Sequence, residues 1–186
     1  GQILVEGTNV VGTEPSQRPF AMLFQEHNLF AHLSVRQNIA LGLEPSLKLS
    51  AQQQQKIDKA AQQVGIDQYL DRLPEQLSGG QRQRVALARC FVQPHKVWLL
   101  DEPFSALDPV LRAEMLDLVK TLATANNITV LMVTHHLSDA KSIASHFIFM
   151  ANGVIADTGV IKDLQANHHS VLLSEFISAA LMTTSV

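Results

Sequence analysis

The chain has 186 residues, a formal net charge of −3 and 17% charged residues, below the roughly one quarter typical of soluble domains. That balance excludes a globally basic, nucleic-acid-binding surface, and the single cysteine, Cys90, excludes an intrachain disulfide framework. The 46% hydrophobic fraction is enough for a sizeable core. No apolar run reaches the about 18 residues needed to span a bilayer, and no secretory leader opens the sequence. The expectation is a soluble, cytosolic chain.

Ile3, Leu4 and Val5 read as a short strand running into a turn at Gly7. Phe20 to Phe24, after Arg18-Pro19, reads as a second strand. Ser34 with Gln37 forms a capping-box pattern, so a helix starts there and breaks at Gly42 to Pro45. Ser50 with Gln53 repeats the pattern and opens a helix to about Val64. The glutamine run Gln52 to Gln55 is its solvated face, because Ile57, Ala60, Ala61 and Val64 recur at helical spacing. After the break at Pro74, a helix is predicted from Arg82 to about Val92.

Val97 to Leu100 is an apolar run ending in acids, the pattern of a buried parallel strand at its carboxyl end. Asp108-Pro109 is an N-cap followed by proline, predicting a helix to about Ala125. Ile128 to Val133 follows as a buried strand, Ser138 to Ala144 as a short helix and Phe147 to Met150 as a strand. Ala151-Asn152-Gly153 is a hairpin turn into Val154 to Ala156, and Asp163 to Met182 reads as helix. Alternating strands and helices from Val97 onward predict an α/β domain with a mainly parallel sheet. The helix-rich part reads as an inserted lobe. The expected divisions are 1–33 (first strands of the core), 34–92 (helical lobe), 93–160 (α/β core) and 161–186 (helical tail).

Several segments carry chemistry. Asp101 and Glu102 end a buried strand, at the sheet edge where α/β ligands bind. One carboxylate can hold Mg²⁺ through its water shell and the next can polarise an attacking water. By itself Asp-Glu-Pro is a weak signal, more often an ordinary helix start. In Leu77-Ser78-Gly79-Gly80-Gln81, two glycines expose backbone N–H groups at a helix N-terminus and Ser78 adds a hydroxyl, a phosphate-binding arrangement without lysine. Read alone, it is also an N-cap with a tight glycine turn. The order decides: Gln25 after a strand, Leu77 to Gln81, Asp101-Glu102, Ser105-Ala106-Leu107-Asp108, then Thr134-His135 at the next strand end.

In that order the chain resembles the ATP-binding-cassette (ABC) family over essentially its whole length. Leu77 to Gln81 resembles the signature motif and Val97 to Glu102 the Walker B strand with its catalytic glutamate. Gln25 resembles the Q-loop glutamine, Ser105 to Asp108 the D-loop, and His135 the switch histidine. The resemblance implies a P-loop NTPase-like nucleotide-binding domain with an inserted helical signature subdomain, an ATPase using ATP and Mg²⁺. It implies that Asp101 holds Mg²⁺ through water, Glu102 is the general base and His135 contacts the γ-phosphate. Gln25 would touch Mg²⁺ and relay its state to a membrane partner. Ser78, Gly79, Gly80 and Gln81 would bind the ATP of a second subunit, and Asp108 would reach across the same interface. A homodimer sandwiching ATP follows from these roles.

Leu23 to Phe30 with Leu33 to Ile39 is similar to bacterial importer ATPases, although Ala31 stands where proline is common. Permease subunits, a periplasmic substrate-binding protein acting indirectly and the cytoplasmic face of the inner membrane are the implied setting, with no nucleic acid. Met22 to Glu26, Asn28-Leu29-Phe30 and Cys90 resemble the thiamine-importing branch; importers of ferric iron, sulfate or polyamine are the alternatives, because partner proteins choose the substrate.

No lysine follows a glycine in the sequence, so the phosphate loop with its Lys and its Mg²⁺-binding hydroxyl is absent. The expectation is a chain that begins after the phosphate-loop strand, as a truncated, a degenerate or a free-standing signature module, and that does not hydrolyse ATP alone. Strands near Val97 and Ile128 are expected to present an unpaired apolar edge, with marginal stability or association. His135-His136 is weighed as a metal site and set aside, because adjacent side chains diverge. His168-His169 is expected to be a surface pair, and Cys90 and Trp98 to be packed.

Overall fold

A computed structural model describes residues 1–25 and 28–183; Glu26 and His27 of the importer-like stretch, and residues 184–186, lie outside the described residues. The chain opens on a hairpin, β1 (Leu4–Val5) pairing antiparallel with β2 (Thr8–Asn9). Glu6 and Gly7 both adopt positive φ, 49° and 80°, as a two-residue hairpin turn requires. The sequence predicts only the first of these strands, because Thr8–Asn9 is too short and polar to register as one.

β3 (Phe20–Leu23) forms where expected. Helices α1 (Val35–Ala40) and α2 (Ala51–Gln63) start at complete capping boxes on Ser34/Gln37 and Ser50/Gln53. In each, the serine Oγ accepts from the glutamine N–H and the glutamine Oε1 accepts from the serine N–H, satisfying two otherwise orphaned donors. Helix α3 (Gly79–Phe91) starts before the predicted Arg82, because Ser78 and Gln81 form a third capping box that outweighs the helix cost of two glycines. β4 (Val97–Asp101) leads to α4 (Pro109–Asn126), which Asp108 caps and left-handed Asn127 ends. β5 (Thr129–Val133), α5 (Leu137–Ile143), the hairpin β6 (His146–Ala151)–β7 (Val154–Val160) and α6 (Val171–Thr183) complete the chain.

The three-stranded sheet is parallel, in the order β3–β4–β5. Its register sets Ala21 beside Trp98 and Val130, and Leu23 beside Leu100 and Met132. That face is packed under α3 and α4, with Trp98, Leu100, Phe104, Ile57, Leu87 and Met115 in one core. The opposite row, Met22–Leu99–Leu131, has Met22 and Leu131 exposed. The strand at Val97 is therefore not an edge, since it pairs on both sides. Of the two expected strands only β5 is an edge; among the described residues it pairs only with β4, as β3 does on the other side.

The hairpin expected at Ala151 to Gly153 forms as β6–β7, antiparallel and in its own sheet, so the parallel sheet ends at β5. One further expectation is corrected. The tail is not helical from Asp163: a single 3₁₀ turn covers Ile161–Asp163, and α6 begins only at Val171. Leu164, Leu173 and Ile177 instead pack with Leu137, Phe147 and Phe149 in a second, smaller core beneath that hairpin. Among the described residues, no helix is long and apolar enough to cross a membrane.

Candidate active site

Parallel pairing brings three of the sequence-flagged segments to one edge. Leu23 is level with Leu100, and Asp101 is level with Val133. Gln25, Asp101-Glu102 and His135 therefore follow the carboxyl ends of three adjacent strands, the place where open parallel sheets bind ligands. His135 Nδ1 lies 3.0 Å from Glu102 Oε2, with the two side chains 57% and 31% exposed. At that exposure the pair orients rather than stabilises. Glu102 has φ of 42°, a left-handed conformation that a long non-glycine side chain rarely takes. It is held there by its N–H donating to the Val133 carbonyl at 3.0 Å and by its own carbonyl, which accepts from Ser105 Oγ at 3.2 Å.

The Asp101 carboxylate is exposed and, among the described residues, makes no hydrogen bond or ion pair. An exposed hard oxygen donor at the end of the strand next to the one that Gln25 follows suits a hydrated Mg²⁺, which keeps several waters and takes one or two protein ligands. Thr134 Oγ1 accepts from the His136 N–H at 3.1 Å and faces the buried Asp139 carboxylate at 3.4 Å, which fixes the turn carrying His135. His136 stacks on His135 with ring centroids 4.1 Å apart. Burial, and after it the Arg112 guanidinium and His135, hold its imidazole below the usual histidine range.

The signature segment sits at the start of α3 rather than at a strand end. Ser78 Oγ accepts the Gln81 N–H at 3.2 Å, leaving its own hydroxyl hydrogen able to donate to an anion at the positive helix end. Gly80 is buried against α4, where a Cβ would lie 2.4 Å from Leu111 Cδ2. This close approach is what the glycine permits, and it fastens the signature helix to the helix that Asp108 caps. Asp108 Oδ1 accepts from Val110 N–H at 3.1 Å and Leu111 N–H at 3.0 Å.

Two residues that the sequence reading passed over tie these parts together. The Gln83 side chain is buried and its amide donates to the Pro103 carbonyl, directly after Glu102. Its signal was available: Gln83 shares a helix face with Ala86, Leu87 and Cys90, and a polar residue in an apolar stripe needs a partner. Arg112 donates to the carbonyls of Phe104 at 3.2 Å, Ser105 at 3.2 Å and Leu107 at 2.9 Å, so one guanidinium holds the loop from Glu102 to Asp108. Its signal was a cation in the opening turns of a helix, against the dipole.

Cys90 and Trp98 are packed as expected. Burial pushes the Cys90 thiol up to about 12, leaving an inert thiol that donates to the Met22 carbonyl. His168 and His169 are not a surface pair: the His168 side chain is buried beside Asp157 and only His169 is exposed.

Residues 1–105 match the family model described as ABC transporter. The chain is 68% identical over 180 residues to the thiamine import ATP-binding protein ThiQ of Vibrio parahaemolyticus, covering 97% of this chain and 77% of that protein. It is 63% identical over 181 residues to the protein of the same name from Vibrio cholerae, covering 97% and 76%. Against the one from Aliivibrio fischeri it is 52% identical over 179 residues, covering 96% and 76%. With signature segment, acid-ended strand and histidine turn assembled in one fold, these matches place the chain in the ABC transporter family, among its ATP-binding subunits.

Proposed function

We propose that the chain is the ATPase subunit of a bacterial importer and couples ATP hydrolysis to thiamine uptake. The observation that carries this reading is 63–68% identity over 97% of the chain to thiamine import ATP-binding proteins. The strand-end geometry supports the chemistry. Glu102 acts as general base: its carboxylate takes the proton of a water that attacks the γ-phosphorus, and ADP leaves with its oxygen. In the resting pair His135 holds Glu102 through Nδ1; nucleotide binding exchanges that hydrogen bond for one to the γ-phosphate and frees the carboxylate for water. Asp101, with Gln25, would hold Mg²⁺ through water, and the ion would supply neutralising charge to the phosphates.

Ser78, Gly79, Gly80 and Gln81 serve the ATP of a second ATPase subunit, with Asp108 at the same interface. The helical lobe, residues 34–92, with Gln25 faces permease subunits at the cytoplasmic face of the inner membrane, and a periplasmic binding protein delivers the substrate to them. The sequence has no Gly-Lys-Ser/Thr loop. That favours a second reading for this polypeptide taken alone, a non-catalytic module contributing Ser78 to Gln81 to another subunit's nucleotide.

Two measurements separate these. Purified chain with ATP and Mg²⁺ is expected to release no phosphate above background, and turnover by the chain alone would falsify the role given to the missing lysine. Deleting the gene should abolish uptake of labelled thiamine and spare ferric iron, sulfate and polyamine; unchanged thiamine uptake refutes the substrate.

A further inference from the structure

A second set of ligating side chains lies away from the strand ends, where β7 meets the segment before α6. Among the described residues, Asp157, His168 and His169 are the one group of three such side chains whose ligand atoms converge, all within 4.8 Å of one another. Asp157 Oδ2 is 3.5 Å from His168 Nδ1 and 3.4 Å from His169 Nε2. Those separations exceed the about 2.7–3.2 Å of a formed N–H···O hydrogen bond. They match the edge of a tetrahedron, since bonds of about 2.0–2.1 Å to a central Zn²⁺ set neighbouring ligand atoms about 3.3–3.4 Å apart.

The surroundings hold these atoms in place. Asp157 Oδ1 accepts from the Thr158 N–H at 2.8 Å, which fixes the carboxylate and leaves Oδ2 to the two rings. The Asp157 side chain is 12% exposed and that of His168 5%, so the carboxylate needs a counter-charge in place of water. His168 is braced by the edge of Phe147, ring centroids 6.0 Å apart, and the rings of His168 and His169 lie 4.1 Å apart. One cation between the three groups would meet the Asp157 carboxylate and one nitrogen of each ring. The Ser170 N–H donates to His168 Nδ1 at 3.2 Å, a hydrogen bond that the ion would displace.

We propose that Asp157, His168 and His169 bind one divalent transition-metal ion, Zn²⁺ by the N₂O donor set, with the fourth position open to solvent. A cleft of about 290 Å³ lined by His168, His169, Asp163, Gln165 and Asn167 adjoins the two rings and has room for a water or an additional oxygen ligand. The ion staples the start of α6 to the β6–β7 hairpin. This site is independent of the nucleotide chemistry.

Equilibrium dialysis of the full chain against ZnCl₂ is expected to show one bound equivalent, and Co²⁺ in its place to give the visible absorption of a tetrahedral complex. His169→Ala removes an 80% exposed side chain, and Asp157→Asn changes one atom. Each should weaken Zn²⁺ at least as much as the about 10–100-fold that losing a second-shell partner costs. His146→Ala, an exposed histidine elsewhere, should leave affinity unchanged, and Zn²⁺ should raise the thermal midpoint of the parent chain but not of His169→Ala. The proposal is overturned if no equivalent binds, if His169→Ala retains full affinity, or if His146→Ala weakens binding equally.

Discussion

The helical lobe of α1 to α3 and the strands from β5 onward use the same apolar residue types and treat them oppositely. In the lobe, Ile57, Val64, Ile66, Val85 and Leu87 are all fully buried. In the strands, Leu131, Val133 and Met150 stay 53%, 56% and 63% exposed. A lobe helix presents one apolar stripe, and a neighbouring helix or the sheet covers it. A strand presents two faces; α3 and α4 cover only one face of the parallel sheet, and the second core covers only one face of the β6–β7 hairpin. The candidate active site lies on the seam: Asp101, Glu102 and His135 leave strands whose packed face is rigid and whose open face is accessible. Stability and chemistry should therefore be carried by different residues.

The sharpest way to break that division is Glu102→Gln. In an ATP-hydrolysing assembly it should lower kcat by about 10²–10⁴-fold, the usual worth of a general base. The melting temperature should not move, because the exposed pair with His135 adds little. A matching drop in thermal stability would show that the strand end is structural after all. Ile57→Ala is the converse change. Deep in the lobe, it should cost about 2–5 kcal/mol by denaturant titration. A loss below 1 kcal/mol would mean that the lobe collapses around the cavity and is less tightly packed than its burial indicates.

Next in size is Ser78→Ala, which joins the two categories. Removing the α3 cap should cost about 1 kcal/mol of stability. In the assembled ATPase it should also raise KM for ATP, because the same hydroxyl is placed to meet a partner's phosphate. A stability loss with unchanged KM would reduce Ser78 to a cap.

Local chemistry was legible in the sequence, and tertiary placement was not. Ser34/Gln37 and Ser50/Gln53 announce their helices because a capping box is complete within four residues. Ser78/Gln81 obeys the same rule but is masked by Gly79 and Gly80, which read as a loop. The acid-ended run Val97 to Leu100 gave its strand, and pairing placed it at the sheet centre rather than an edge. Gln83 to Pro103, Arg112 to the loop from Phe104 to Leu107, and Asp157 to His168 all join separate elements. No periodicity within one element encodes such partners; only an oddity does, such as a glutamine in an apolar stripe or an arginine against a helix dipole. The late start of α6 has the same origin: Leu164 is pulled into the second core, and the segment bends to reach it.

The smallest expected effect tests the open face itself. Leu131→Thr introduces a β-branched residue suited to a strand and removes exposed apolar surface from β5, so folding stability should change by no more than about 0.5 kcal/mol. Self-association should fall, because an apolar strand with an unpaired edge is a template for edge-to-edge pairing. Sedimentation velocity over a concentration series reads the association, and denaturant titration of the same samples reads the stability. If Leu131→Thr instead destabilised the chain by as much as Ile57→Ala, its side chain would be packed in solution, and the contrast between covered lobe and open strand face would fail at its clearest position.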